Sequence, residues 1–298
     1  MKRTLLSVFA FLLMLALSIG LAAPALALGS APVAENLELK TYRSVSVGGT
    51  LSAYDPEGEV ARFEITTQPV KGRIALEQDG SFVYTPNENK KGRDYFGYKA
   101  IDAEGNVSQE ATVIIRIEKQ KKSVVYEDME GRSGAFAAVE LSECGVFTGE
   151  QIAGHYCFGP DKAVSRGEFL SMCMLVTGKP QIKGVMSTGY ADDESIPYWM
   201  KEVVAAAVVQ GMEQRRESFA ADSPITKAEA VQMLNDALGL YDVDYIPLEA
   251  GFGDAAAQAC INLKSVGILK NASVSAQTLT REEAAKMLVH AMETCGSR

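Results

Sequence analysis

Hydrophobic and polar residues alternate in short runs along the first third of the chain, with apolar side chains at every second position. The clearest runs lie at residues 63–67, 74–76, 82–84, 96–100 and 113–117. Turn-forming pairs such as Asp79-Gly80 and Pro86-Asn87 separate them. Because no helical pattern intervenes, residues 31–118 are predicted to form a two-sheet antiparallel β-sandwich. Its aromatic core is expected to contain Tyr84, Tyr95, Phe96 and Tyr98.

From Val124 onward the hydrophobic spacing becomes helical, and the pattern repeats three times. In each copy an aromatic-x-Asp sequence precedes an alanine-rich helix, a glycine ends that helix, and a second helix follows. We predict helix–loop–helix units at 124–180, 188–241 and 245–295, joined to the sandwich by a charged linker at 119–123. Since one unit cannot bury its own apolar face, the three are expected to form an all-α domain with pseudo-threefold packing.

The second helix of each unit opens with a hydroxyl, a cation and a glutamate. The three sequences are Ser165-Arg166-Gly167-Glu168, Thr226-Lys227-Ala228-Glu229 and Thr280-Arg281-Glu282-Glu283. The hydroxyl and the glutamate are spaced as a capping box. The cation needs another reason, because the first turn of a helix disfavours positive charge. One interpretation is that the cation and the helix N-terminal amides bind an anion together. The alternative is that duplicated units retain a cation that merely packs on a neighbour.

Composition and charge narrow the classes of function. The chain is 47% hydrophobic and 22% charged, with a net charge of −9 and two histidines. An acidic protein without a basic cluster is not expected to bind nucleic acid. No nucleophile–base or carboxylate pair has a supporting motif, so neither an enzyme nor a cofactor is expected. A metal site at Cys144, His155 and Cys157 would lack a fourth ligand, so no metal is expected.

Residues 1–27 have the pattern of a secretory signal peptide. Lys2 and Arg3 precede an apolar segment at residues 5–21, and Ala25-Leu26-Ala27 supplies a cleavage site. Cleavage would remove those two cations, lower the net charge from −9 to −11 and leave no membrane-inserted segment. The alternative is a retained membrane anchor.

An odd number of cysteines, five, implies at least one unpaired thiol or a pair between chains. Cys173 is expected in the core, because it lies on an apolar helical face. Cys144 with Cys157, and Cys260 with Cys295, are possible pairs, although the connectivity cannot be deduced from sequence.

Several motifs follow one another through the strand region. They include Asp55-Pro56-x-Gly58, Asp79-Gly80-Ser81-Phe82-x-Tyr84 and Gly92-x-Asp94-x-Phe96-x-Tyr98. In this order they resemble bacterial Ig-like, cadherin-like modules. The resemblance implies a spacer or adhesive module without catalysis, whose partner is unknown. Some relatives bind calcium through loop acids, for which the candidates here are Asp55, Glu57, Asp94 and Asp102. The alternative is that these acids cap turns.

The helical units share a second set of motifs, most complete in the middle unit. It has Tyr190-Ala191-Asp192, Trp199, Gly211-Met212, Phe219 with Pro224, and Thr226-Lys227-Ala228-Glu229. In order, spacing and copy number these resemble S-layer homology repeats. The resemblance implies non-covalent binding of an anionic secondary cell-wall polysaccharide, often carrying ketal-linked pyruvate, in grooves between repeats. The glycan-binding residues it implies are Arg166, Lys227, Arg281, Asp128, Asp192, Asp254, Trp199, Gly145, Gly211 and Gly267.

Two departures from the family pattern predict unequal grooves. Tryptophan occurs only in the second unit, where Lys227 also replaces arginine and loses the planar fork that matches a carboxylate. The third unit lacks the Phe-x-Pro loop. Arg166 and Arg281 are therefore expected to be the stronger anion contacts, and their substitution is expected to spare the fold. The expected protein is a secreted, wall-anchored surface (S-layer) protein that displays the sandwich. The alternative is a calcium-dependent adhesin in which the sandwich is the functional domain.

Overall fold

The computed structural model describes residues 29–58, 60–213, 216–243, 254–269 and 275–296. Within these ranges no helix is both long enough and apolar enough to cross a membrane. The predicted signal peptide at residues 1–27 lies outside the described residues.

Nine strands form the described part of the N-terminal region, and all five predicted runs lie within them. The strands are β1 Val33–Ala34, β2 Leu37–Tyr42, β3 Val47–Thr50, β4 Ala53–Tyr54, β5 Val60–Thr67, β6 Gly72–Leu76, β7 Ser81–Pro86, β8 Gly92–Asp102 and β9 Ala111–Glu118. One sheet has the order β2-β9-β8-β5 and the other β3-β7-β6, while β1 pairs with β4. The predicted two-sheet sandwich is thus confirmed.

The sandwich is not purely antiparallel. Strands β2 and β9 run parallel, in register from Leu37 opposite Val113 to Tyr42 opposite Glu118. The expectation of an antiparallel sandwich is wrong for this pair. Parallel neighbours require a long crossover, and here the rest of the domain supplies it, since these are its first long strand and its last.

The aromatic core lies between the two sheets. Tyr84, Phe96 and Tyr98 are fully buried, as predicted, and Phe82 packs edge-on against Phe96 with ring centroids 5.3 Å apart. Tyr95 is 58% exposed, so its predicted place in the core is wrong. Side chains alternate between the faces of a strand, and Tyr95 points away from the face that Phe96 buries.

In the described ranges six α-helices follow, two in each predicted unit. They are α1 Ala135–Glu143, α2 Arg166–Val176, α3 Tyr198–Val209, α4 Lys227–Leu238, α5 Asp254–Ser265 and α6 Arg281–Gly296. The first helix of each unit packs on the second helix of another: α3 on α2, α5 on α4, and α1 on α6. Short 3₁₀ turns at Glu127–Met129 and Asp193–Ser195 precede α1 and α3.

The expectation of an all-α domain is wrong at one place in the first unit. Strands β10 (Glu150–Ile152) and β11 (His155–Cys157) form an antiparallel hairpin between α1 and α2. Its two-residue turn, Ala153-Gly154, has positive φ at both positions, which is the backbone of a tight hairpin turn. The hairpin places Glu150 beside the third unit.

Backbone hydrogen bonds join the three units in a closed cycle. The residue before each N-cap donates to its counterpart in another unit: Val164 N to Leu279 O (3.0 Å), Leu279 N to Ile225 O (2.9 Å) and Ile225 N to Val164 O (2.9 Å). This arrangement agrees with the predicted pseudo-threefold packing.

The third unit also caps the first helix of the first unit. Glu282 accepts from Gly134 N at 2.9 Å and from Arg132 Nε at 2.7 Å, and Lys286 Nζ lies 3.1 Å away. Burial alone would raise the pKa of Glu282, but the Arg132 hydrogen bond and the nearby Lys286 charge lower that pKa to about 2. The carboxylate, while it is ionised, therefore stabilises the closed ring of three helical units.

The sandwich packs directly on α1. Phe136 N donates to Ser46 O (3.0 Å), and the rings of Tyr42 and Phe136 have centroids 5.7 Å apart. The predicted linker is also held, because the amides of Lys121 and Lys122 both donate to Glu143. The two regions thus share an interface, and the linker lies along it.

Candidate functional site

The candidate site is the set of three second-helix openers, each placed at a junction between two units. All three have the predicted capping box. The N-cap hydroxyls of Ser165, Thr226 and Thr280 accept the backbone amide three residues later, at 3.2–3.3 Å. The N-cap amides in turn donate to the glutamate carboxylates at 3.0 Å. These hydroxyls and glutamates are confirmed as helix caps.

The amides of the first two helical residues are also occupied, in every unit, by loop carbonyls of another unit. Arg166 N and Gly167 N donate to Ser223 O and Ala221 O. The equivalent pairs are Lys227 N to Gln277 O, Ala228 N to Ser275 O, Arg281 N to Lys162 O and Glu282 N to Pro160 O, all at 2.8–3.1 Å. The part of the anion interpretation that relied on free helix N-terminal amides is therefore wrong, because the neighbouring unit already satisfies them.

Each opener cation contacts the capping glutamate of another unit. Arg166 Nη1 lies 3.1 Å from Glu229, Lys227 Nζ lies 2.7 Å from Glu283, and Arg281 Nη2 lies 3.8 Å from Glu168. These pairs form a second closed cycle around the ring. They support the alternative interpretation, in which the repeated cation packs on its neighbour, and they give it a physical basis in charge pairing.

The junction at Arg166 is closed to solvent, and a carboxylate of the protein neutralises the arginine charge. The Arg166 side chain is 6% exposed, and Nη2 lies 2.5 Å from Oε2 of Glu213, which is 2% exposed. The guanidinium also lies over the Phe219 ring, 5.7 Å from its centroid. Arg216 flanks Glu213 and Glu229, and its Nε lies 3.4 Å from Glu213. Sequence reasoning missed Glu213, whose signal was its position two residues after the helix-stop glycine, Gly211.

The junction at Arg281 is differently built. The equivalent of Glu213 is Phe147, and the Arg281 guanidinium lies over its ring, 5.2 Å from the centroid. A small cavity of about 10 Å³ beside the pair is lined by the buried side chains of Leu141, Val164, Met172 and Ala285. A planar cation stacked on an aromatic ring is suited to an acid group.

The Arg281 cation contacts a carboxylate that sequence reasoning also missed. Glu150, on hairpin strand β10, lies 2.9 Å from Arg281 Nη1, and Lys162 Nζ lies 2.9 Å from each of its oxygens. Hydrogen bonds from Lys162 and then Arg281 lower the pKa of Glu150. No spacing in the sequence points to this pair, because the hairpin brings together residues 131 positions apart.

The junction at Lys227 is the most open. The Lys227 side chain is 25% exposed and that of Glu283 is 39% exposed. The three junctions therefore differ, as predicted, but the exposed fraction of each cation does not follow the arginine–lysine difference alone. Arg166 is the most enclosed cation, because the protein supplies its own buried carboxylate there.

The predicted aspartates and glycines have structural roles. Asp128 accepts Phe158 N and Gly159 N, and Asp192 accepts Phe219 N and Ala220 N, at 2.7–3.1 Å. Both acids thus fix the loop before the second helix. The helix-stop glycines Gly145, Gly211 and Gly267 have φ of +74 to +79°, the left-handed conformation that ends a helix. Asp254 begins α5, but its side chain lies outside the described residues.

Trp199 lies away from these junction contacts, on the exposed side of α3. It is 59% exposed, and its neighbour Tyr198 is 61% exposed. Within the described ranges no ion pair or hydrogen bond joins Trp199 to an opener cation, so its predicted role in glycan binding stays a prediction.

The acids proposed for calcium accept hydrogen bonds from the protein. Asp55 and Asp102 cap their own turns through Glu57 N and Asn106 N. Asp94 accepts the amides of Val70 and Lys71 and the Tyr84 hydroxyl, while Glu57 accepts Ser30 N. Among the described residues, no group of three or more acidic, histidine or cysteine side chains is arranged to hold a metal ion. These contacts favour the turn-capping alternative.

All five cysteines lie in the described ranges, and the thiols of Cys144, Cys157, Cys173 and Cys295 are free. Cys173 is fully buried on α2, as predicted. Burial raises the pKa of its thiol, which is therefore protonated and unreactive.

The comparison with family models finds a match in the N-terminal region. Residues 29–119 match the family model described as a bacterial cadherin-like domain. No match is found among curated proteins.

Several solved structures are similar over about a third of this chain. The SrpA adhesin from Streptococcus sanguinis is 16% identical, with 33% of this chain and 65% of that chain covered and a TM-score of 0.26. A SusE-like, surface-located polysaccharide-binding protein from Bacteroides thetaiotaomicron is 15% identical, with 30% and 15% covered and a TM-score of 0.23. The matches span less than two thirds of either relative, and at these TM-scores neither a fold nor a function can be transferred.

Proposed function

We propose that the chain is an exported bacterial surface protein whose helical ring holds it non-covalently to an anionic secondary cell-wall polysaccharide. In this proposal the three helical units are S-layer homology repeats, and the cadherin-like domain is displayed or acts as a spacer. The protein is a binding protein and not an enzyme. After cleavage of residues 1–27, no part of it is inserted in a membrane.

The observation that carries the proposal is the junction between the third and first units. There Arg281 lies on the ring of Phe147, and Arg281 and Lys162 both contact the carboxylate of Glu150. The other junctions repeat the cation and its capping glutamate, which indicates one ring built by duplication. The Arg166 junction also has an aromatic ring, Phe219, and a second cation, Arg216, but its carboxylate Glu213 is 2% exposed. At the Arg281 junction the corresponding carboxylate, Glu150, is 42% exposed.

Charge explains why the contact must be local. The chain carries a net charge of −9, so a distant anionic polymer is repelled rather than attracted. Affinity must then come from a few short contacts between a ligand carboxylate and a partly enclosed cation. One such charge-assisted contact contributes about 1.5–3 kcal/mol, or roughly ten- to a hundredfold in affinity.

The test is co-sedimentation of the whole chain with purified cell walls, before and after the polysaccharide is stripped from peptidoglycan. The whole chain is used because removal of the cadherin-like domain would expose Phe136 on α1. We expect retention on native walls and loss of retention on stripped walls. Equal retention on both, or retention on neither, would refute the proposal.

A further inference from the structure

We propose that Glu150 occupies the position of a ligand carboxylate between Lys162 and Arg281, and that a carboxylate-bearing saccharide must displace it to bind. The inference rests on the proposed function, because it assigns the acid-binding position within the same junction. It adds Lys162 as a ligand-binding residue and Glu150 as a built-in competitor.

The geometry at Glu150 is that of a bound anion. Its Oε1 lies 2.9 Å from Arg281 Nη1, and both of its oxygens lie 2.9 Å from Lys162 Nζ. Two cations thus bind one carboxylate, while the Phe147 ring supports the guanidinium from below. The same set of groups would bind an acid substituent of a sugar.

Local charge makes the exchange feasible. Lys162 and Arg281 are balanced by Glu150 and by Glu168, whose carboxylate lies 3.8 Å from Arg281. If Glu150 rotates into solvent, the site carries one excess positive charge, and a ligand carboxylate restores neutrality. The Glu150 side chain is 42% exposed, so a change of side-chain rotamer is enough and the hairpin need not move.

The Arg166 junction shows what a permanent internal carboxylate looks like. Glu213 is almost completely buried, and its carboxylate lies against Arg166 in the enclosed junction. Its rotation into solvent would require the junction to open. We therefore assign the exchangeable carboxylate to the half-exposed Glu150. The buried Glu213 instead forms a permanent ion pair with Arg166.

The experiment measures binding of a pyruvylated wall polysaccharide, and of the same polysaccharide after mild acid removal of pyruvate, to the whole chain. Glu150→Gln keeps the shape and the hydrogen bond to Arg281 but removes the competing charge. We expect it to bind the pyruvylated form about three- to tenfold more tightly than wild type, with a smaller gain at high salt. The depyruvylated form should show no gain, and Lys162→Gln should weaken binding of the pyruvylated form.

Glu127→Gln is the matched control. It removes the same charge from the same unit at an exposed carboxylate that is paired with His155 and not with Arg281. If wild type binds walls and Glu150→Gln binds no more tightly than Glu127→Gln, the inference is wrong while the proposed function stands.

A second readout decides the inference if wild type does not bind walls. Titration with methyl glucuronide, followed by the NMR signal of the Arg281 guanidinium, tests the anion position with a simple carboxylated sugar, and methyl glucoside is the uncharged control. We expect the Glu150→Gln signal to shift at lower glucuronide concentration than the wild-type signal. Equal midpoints, or no shift in either protein, would overturn the inference.

Discussion

Substitution of Arg166 by methionine is expected to destabilise the ring strongly. Methionine keeps much of the side-chain length but removes the charge that neutralises Glu213, which is 2% exposed and lies 2.5 Å from the guanidinium. A buried carboxylate left without its main partner costs about 3–5 kcal/mol, and Arg216, which is 46% exposed and 3.4 Å from Glu213, offsets only part of that cost. At roughly 2–4 °C per kcal/mol for a domain of this size, the melting temperature should fall by on the order of 10 °C.

Two further variants isolate the cause. Lys227→Met removes the equivalent cation at the open junction, where both partners are partly exposed, and should cost under about 1 kcal/mol. The double variant Arg166→Met with Glu213→Gln removes both charges and should recover most of the lost stability. Circular dichroism melts and urea titrations measure all three. If Arg166→Met is no less stable than Lys227→Met, or if Glu213→Gln gives no recovery, the assignment of Arg166 as a buried structural cation is wrong.

Three more predictions concern stability. Because ionised Glu282 has a pKa of about 2 in the fold, against an ordinary value of 4.5, its stabilisation should be complete above pH 4.5. Roughly 3 kcal/mol should be lost as the pH falls to about 2, and urea titrations of Glu282→Gln should not show that loss. Reductant should leave the melting temperature unchanged, and a thiol assay of the native protein should leave Cys173 unreacted. A large drop in melting temperature under reductant would instead reveal a disulfide that contributes about 2–4 kcal/mol. Ala220 has a φ of +58°, a left-handed conformation that its counterpart Gly159, at +69°, adopts without strain. Ala220→Gly should therefore raise the stability measured in the same melts by up to about 1 kcal/mol, and a decrease would contradict that reasoning.

Local patterns predicted the elements well. Alternation located the strands, and the spacing of Thr226 and Glu229 identified a capping box, because both signals depend on residues close in sequence. Tyr95 was misplaced because a run of aromatic residues hides which one faces inward. The parallel pairing of β2 with β9 was missed because it joins the two ends of the domain.

The candidate site was harder to predict, since its partners come from different units. The sequence showed a cation repeated at an unfavourable helix position, which correctly marked it as unusual. It did not show that loop carbonyls such as Ser223 O already occupy the helix amides, or that Glu213 and Glu150 lie against the arginines. These contacts exist only once the ring has closed, and substitution of Arg166 is now expected to affect folding as well as binding.

The most direct test of the proposed wall binding is calorimetric titration of released wall polysaccharide into the whole chain and its Arg281→Gln variant. Arg62→Gln is the control, because it removes an exposed arginine charge from the cadherin-like domain, where it pairs with Glu64. The account predicts saturable binding by wild type and Arg62→Gln, and affinity about tenfold or more lower for a folded Arg281→Gln protein. Equal affinity of Arg281→Gln and wild type, or no binding by any of the three, would contradict it.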